Sequence, residues 1–103
     1  MTKIIAVTAC PSGVAHTYMA AANLKKFAEK KGLEIKMETQ GATGIENEIT
    51  KEDIARADAA IIASDIRIKG AERFDSLPTL TVSVSEAVKD AKSVIDELVE
   101  AIG

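Results

Sequence analysis

A chain of 103 residues with 47% hydrophobic content can build one core but hardly two, so one domain over residues 1–103 is expected. Its net charge of -3, with only three aromatic residues (Tyr 1, Phe 2), argues against general attraction to nucleic acid or anionic lipid and against a base-stacking platform. One cysteine excludes an internal disulfide, no apolar run approaches the roughly 18 residues of a spanning helix, and no secretory leader is recognisable at the amino terminus, so a cytoplasmic setting without direct membrane insertion is expected.

Short β-branched runs alternate with amphipathic stretches, and no repeat or low-complexity linker interrupts them. Lys3 to Thr8 is a compact apolar run suited to a central parallel strand, ending at the cluster Ala9-Cys10-Pro11-Ser12-Gly13. From Val14, the residues Thr17, Ala20, Leu24, Phe27 and Ala28 recur at helical spacing. Lys25, Lys26, Lys30 and Lys31 complement the far end of that helix, and Gly32 stops it.

Leu33 to Glu38 alternates Leu33, Ile35 and Met37 with Glu34, Lys36 and Glu38, which reads as a strand at a sheet edge with one exposed face. A loop over Thr39-Gln40-Gly41-Ala42-Thr43-Gly44 follows, with Glu46 and Glu48 on a solvated face. Thr50 with Asp53 caps a short helix ending near Asp58, and Ile49 with Ile54 forms a hydrophobic staple around that cap. Ala59 to Ala63 is a buried strand leading to the turn Ser64-Asp65, where Asp65 is suited to cap a loop; Thr79 to Val82 is a fourth strand. Ser83 and Glu86 form a capping box before a last helix with the stripe Val88, Ala91, Ile95, Leu98 and Ile102.

The expected fold is therefore α/β: a small open four-stranded parallel sheet with helices on both faces. Its strand carboxyl ends form one edge, where ligands bind in such sheets, and the loop after the first strand carries the cysteine. In Cys10-Pro11-Ser12-Gly13-Val14-Ala15-His16-Thr17 a turn of backbone N–H groups beside a helix amino terminus suits a dianionic phosphate. The same field favours the thiolate, making Cys10 a candidate nucleophile towards phosphorus. Ser12 and Thr17 offer hydroxyl donors, and His16 offers a donor or a positive charge. No metal or other cofactor is called for.

A lone cysteine is commonly a small buried core residue, but one in a Pro-Ser-Gly turn is poorly placed for packing. A Cys-x-x-x-x-x-Arg phosphatase would need arginine where His16 stands, which disfavours that chemistry. A thiol redox protein would commonly present a second cysteine, whereas Gly13 sits three residues after Cys10. A module that binds phosphate or a phosphoprotein without turnover stays open as the alternative. Ile66 to Arg73 is given no role beyond partner contact, with Lys69 and Arg73 read as a solvated charge face.

The segment ACPSGVAHTYMAAA from Ala9 to Ala22 closely resembles the active-site signature of the fructose-type enzyme IIB of the bacterial phosphoenolpyruvate-dependent sugar phosphotransferase system. The resemblance continues through Glu38-Thr39-Gln40-Gly41 and Gly44-Ile45-Glu46-Asn47-Glu48 and covers essentially the whole chain. Ser12 stands where the family often has threonine and Val14 where isoleucine is common. The resemblance implies a protein-N-phosphohistidine:sugar phosphotransferase in which Cys10 accepts phosphate from a IIA phosphohistidine. It implies the loop Pro11, Ser12, Gly13, Val14, Ala15, His16 and Thr17 as the phosphate cradle. The implied partners are phosphorylated IIA and the membrane component IIC, which holds the sugar, fructose or a related hexose, and brings the chain to the inner face of the membrane.

Overall fold

A computed structural model of the chain describes residues 2–9, 14–41 and 44–102, with the side chains of all of these except 14–16, 41 and 102. The elements are β1 (Lys3–Ala9), α1 (Val14–Lys30), β2 (Glu34–Gly41), β3 (Gly44–Glu46), α2 (Lys51–Arg56), β4 (Ala59–Ser64), a 3-10 turn (Ala71–Phe74), β5 (Thr79–Val82), α3 (Val84–Lys89) and α4 (Ala91–Ile102). They form one sheet in the order β3-β2-β1-β4-β5, in which only the β2–β3 pair is antiparallel.

The two-residue period of β1 explains why it sits innermost, since both its faces are apolar. Ile4 and Ala6 join a core with Ala20, Leu24 and Ala28 of α1, Val84 and Ala87 of α3, and Ile95 and Leu98 of α4. Ile5, Val7 and Ala9 face the other way, into a smaller core with Ile49, Ala60, Ile68 and Phe74. Ile4, Ile5, Leu24, Ile61 and Ile95 are fully buried, and each contributes about 1.5–3 kcal/mol relative to an exposed side chain. Helices thus cover both faces, as expected.

Local chemistry sets the helix ends. At the end of α1, Gly32 is left-handed with φ 74°, its N–H donates to the Glu29 carbonyl at 3.0 Å, and Leu33 N–H donates to the Ala28 carbonyl at 3.0 Å. That is the paired closure a glycine permits. At the start of α2, the Thr50 hydroxyl accepts from Asp53 N–H at 3.1 Å while Asp53 accepts from Thr50 N–H at 3.0 Å, completing the expected box. Ile49 and Ile54 pack in one cluster beside it. Ser83 accepts from Glu86 N–H at 3.0 Å.

Four details correct the sequence reading. The sheet has five strands rather than four, because Gly41 pairs with Gly44 and the chain returns antiparallel as β3. All three β3 residues are exposed, so no apolar alternation marks that strand. Consequently Thr39–Gly41 is strand rather than loop, and β2 is interior, not an edge; Ala42 and Thr43 of that expected loop lie outside the described residues. Glu38, expected on the exposed face of β2, is fully buried. The last helix is two helices, interrupted at Asp90, whose φ of -142° and ψ of 45° leave the helical region. The stripe through Val88, Ala91, Ile95 and Leu98 keeps its phase across the break, so periodicity does not reveal it. α2 ends at Arg56, and Asp58 N–H already donates to the Lys3 carbonyl at 2.7 Å to start β4.

Candidate functional site at the carboxyl edge of the sheet

From β1 the chain passes through α1 to β2 on one side, whereas β4 and β5 continue on the other. The carboxyl ends of β1 and β4 are therefore the switch point, where diverging connections leave room for a ligand. The register places Gln40 of β2 and Ser64 of β4 abreast of Ala9, the last residue of β1.

Of the candidate site residues, Cys10, Pro11, Ser12 and Gly13 lie outside the described residues. Val14, Ala15 and His16 form the first turn of α1, without described side chains. Thr17 is 1% exposed, and its carbonyl accepts the Thr8 hydroxyl at 3.2 Å. That buried bond ties the opening of α1 to the end of β1. The helix is 17 residues long, so its amino end presents N–H groups without intrahelical partners and the positive pole of its dipole.

On the face of the sheet shared by Val7 and Ala9, β2 presents Glu38 and Gln40. Arg73, in the 3-10 turn, meets Glu38 with both guanidinium arms: Nη1 donates to Oε1 and Nη2 to Oε2, each at 2.9 Å. Gln40 Nε2 donates to Glu38 Oε2, and Ile49 N–H to Oε1, each at 2.8 Å. Burial alone would push the Glu38 carboxyl up, but the bonds from Arg73, Gln40 and Ile49 outweigh it and hold the carboxyl below its ordinary value. Arg73 also donates to the carbonyls of Gly70 at 2.8 Å, Ile49 at 3.1 Å and Lys69 at 3.2 Å. Its guanidinium lies 5.0 Å from the centre of the Phe74 ring. Arg73 is thus committed inside the molecule, which corrects its reading as a solvated charge; Lys69 has an exposed side chain but a pinned backbone.

Gly70 is needed for this arrangement twice over. Its φ is 75°, and a Cβ there would stand 2.6 Å from Arg73 Nε. Arginine side chains usually move aside, but this one is held at five acceptor contacts. Gly70→Ala is expected to cost about 1–2 kcal/mol from the left-handed backbone alone, and more through Arg73. Urea unfolding checks the value, and a loss below roughly 0.5 kcal/mol would contradict it.

The remaining side chains of this edge have supporting roles. Asp65 accepts from Val84 N–H at 3.3 Å, so its carboxylate meets the start of α3, 19 residues on, rather than capping its own loop. The Tyr18 phenol donates to Glu46, which links α1 to β3 and holds the phenol above its ordinary value. Sequence reasoning missed the Glu38–Gln40–Arg73 group because it placed Gln40 in a loop; once β2 runs to Gly41, Glu38 and Gln40 stand two apart in one strand and share a face.

Comparison with known proteins gives a consistent result. The family model described as PTS system, Lactose/Cellobiose specific IIB subunit matches residues 5–97. The chain is 56% identical over 98 residues to the PTS system fructose-like EIIB component 2 of Escherichia coli K12, covering 95% of this chain and 92% of that one. It is 45% identical over 94 residues to the PTS system 2-O-alpha-mannosyl-D-glycerate-specific EIIABC component of the same organism, covering 91% of this chain and 14% of that relative. A crystal structure of a predicted fructose-specific IIB from Escherichia coli superposes with a TM-score of 0.95 at 41% identity, covering 100% of this chain and 91% of that one.

Proposed function

Because this chain belongs to the fructose-type IIB components of the sugar phosphotransferase system, we propose that it is a protein-N-phosphohistidine:sugar phosphotransferase with Cys10 as its phosphorylated nucleophile. A phosphotransfer role comes with the family; the cysteine mechanism is the finer step. The observation that supports it is the place of the loop. Cys10 follows Ala9, the end of the innermost strand at the switch point, and α1 opens at Val14.

In the proposed reaction the Cys10 sulfur attacks the phosphorus of a IIA phosphohistidine in line. The S–P bond forms as the P–N bond breaks, and the electron pair returns to the imidazole nitrogen. A sugar hydroxyl oxygen held by IIC then attacks the same phosphorus, its proton is lost from the sugar, and the thiolate leaves. Within the cradle Pro11 to Thr17, the backbone N–H groups from Ser12 onward and the positive end of α1 stabilise the charge spread over the transferring group, where most of the catalytic benefit in phosphoryl transfer arises. Ser12 and Thr17 supply hydroxyls to that cradle, and His16 a further donor.

The whole chain is one IIB domain in this reading, working in the cytoplasm at the inner membrane face through IIC. Among the described residues no helix is long and apolar enough to cross a membrane. The sugar is fructose or a related hexose, selected by IIC; relatives more than 40% identical to this chain carry different sugars in their names. The test is intact mass and peptide mapping after incubation with phosphoenolpyruvate, the general phosphotransfer proteins and a matching IIA. One phosphoryl on Cys10, discharged when IIC and sugar are added, is the expected result. Reversible phosphate binding without an adduct across several active IIA partners would replace this reading with a binding module.

A further inference from the structure

Five residues, Asp65 to Lys69, connect the end of β4 to the turn at Gly70 and have no place in the sheet ladder. They begin beside Ser64, on one flank of β1, and Lys69 is fastened to Gln40, on the opposite flank. Parallel neighbours lie about 4.8 Å apart, so this segment crosses roughly 10 Å over the carboxyl end of β1. It is a strap laid where the chain leaves Ala9 for Cys10.

The fastening uses one side chain. Gln40 Oε1 accepts from Lys69 N–H at 2.9 Å, and Gln40 Nε2 donates to the Lys69 carbonyl at 3.0 Å. Both main-chain groups of one strap residue are thus held by one amide, and Glu38 fixes which way that amide points by accepting from the same Nε2 at 2.8 Å. A buried ion pair such as Glu38–Arg73 gives little net stability over well-packed apolar residues. Its effect here is on geometry: it orients Gln40, and Arg73 adds a second bond to the Lys69 carbonyl.

We infer that Gln40 is a positioning residue for phosphoryl transfer, latching the Asp65–Lys69 strap across the end of β1 so that it forms one wall of the Cys10 site. The inference rests on Cys10 being the phosphoryl carrier, and it adds a residue outside the cysteine loop. A wall shifted by about 1 Å costs of the order of a hundredfold in rate when reacting groups must be aligned.

The test is Gln40→Met, which keeps length and apolar volume but removes the latch, with Gln40→Asn as the milder variant should the first not fold. Three quantities are read: single-turnover transfer from phosphorylated IIA, its half-saturating IIA concentration, and the pH profile of Cys10 alkylation by iodoacetamide. The expected result is a fall of about 10- to 100-fold in the transfer rate, with half-saturation unchanged and the midpoint of alkylation moved by about half a unit or more. Unchanged transfer per folded molecule together with an unchanged alkylation profile would overturn the inference, even if the melting temperature drops. Should the unsubstituted protein accept no phosphoryl at all, the carrier reading fails instead, and the alkylation profile alone decides whether Gln40 shapes the Cys10 site.

Discussion

Cys10→Ser is expected to leave the melting temperature within a few degrees of the parent and to lower phosphoryl transfer from IIA by at least about a thousandfold. The difference lies in the attacking atom. In the proposed reaction the attacking atom is a thiolate sulfur, the form that a helix amino end favours, whereas a serine hydroxyl stays protonated and needs a base. His16 is assigned no such role, and a thiolate requires none. Quenched-flow transfer from labelled IIA, with mass mapping of the product, measures the loss. A Cys10→Ser protein that carries phosphoryl at a rate near that of the parent would sink the nucleophile assignment. A variant that still binds phosphate but accepts none would separate binding from chemistry within one experiment.

Much of the architecture was legible because it follows from local rules. β1 reads as innermost since Ile4, Ile5, Ala6 and Val7 leave neither face polar, and all four are fully buried. The α2 start was legible from Thr50, Asp53, Ile49 and Ile54, whose spacing alone implies the cap. The place of the cysteine loop, between a strand end and a helix start, followed from the same alternation. The chemistry proposed for that loop rests on residue types and resemblance.

What escaped notice depends on partners distant in the chain. Glu38 alternates with Met37 as a surface carboxylate would, and nothing within its own strand says that Arg73, 35 residues on, will meet it. The network joins Glu38 and Gln40 with Ile49 and with Lys69 to Arg73. By itself each of those segments has an ordinary local reading: Glu38 an exposed strand position, Gln40 a loop, Ile49 the staple of a cap, and Lys69 to Arg73 polar surface. β3 escaped for a related reason, since three exposed residues that begin with a glycine carry no period at all. Asp90 could not be read as a break because helix propensity at one residue is overridden by backbone geometry that the stripe does not sense.

Arg73→Ala is expected to destabilise the protein by about 3 kcal/mol at neutral pH, lowering the melting temperature by roughly 10–25 °C. The Glu38 side chain has no exposure to water, so removing the guanidinium leaves a buried carboxylate with only N–H partners from Gln40 and Ile49. The pH dependence gives the sign. In the parent, Glu38 titrates below its unfolded value of about 4.3. The unfolded chain binds more protons in that window, and the parent loses this contribution as pH falls through the folded value. Without Arg73, burial dominates and the carboxyl titrates above 4.3 or so, so the variant gains stability as pH falls instead. The gap between the two proteins is therefore widest near neutrality and closes in acid. Equal gaps at pH 7 and pH 4 would show that Arg73 acts by packing on Phe74 alone. Replacing both partners, Glu38→Met with Arg73→Met, removes the uncompensated charge and should recover most of the stability. It should not recover transfer, because Gln40 would lose the acceptor that orients it and the Lys69 carbonyl one of its two donors. A doubly substituted protein that is stable yet slow would separate what the ion pair does for the fold from what it does for the strap.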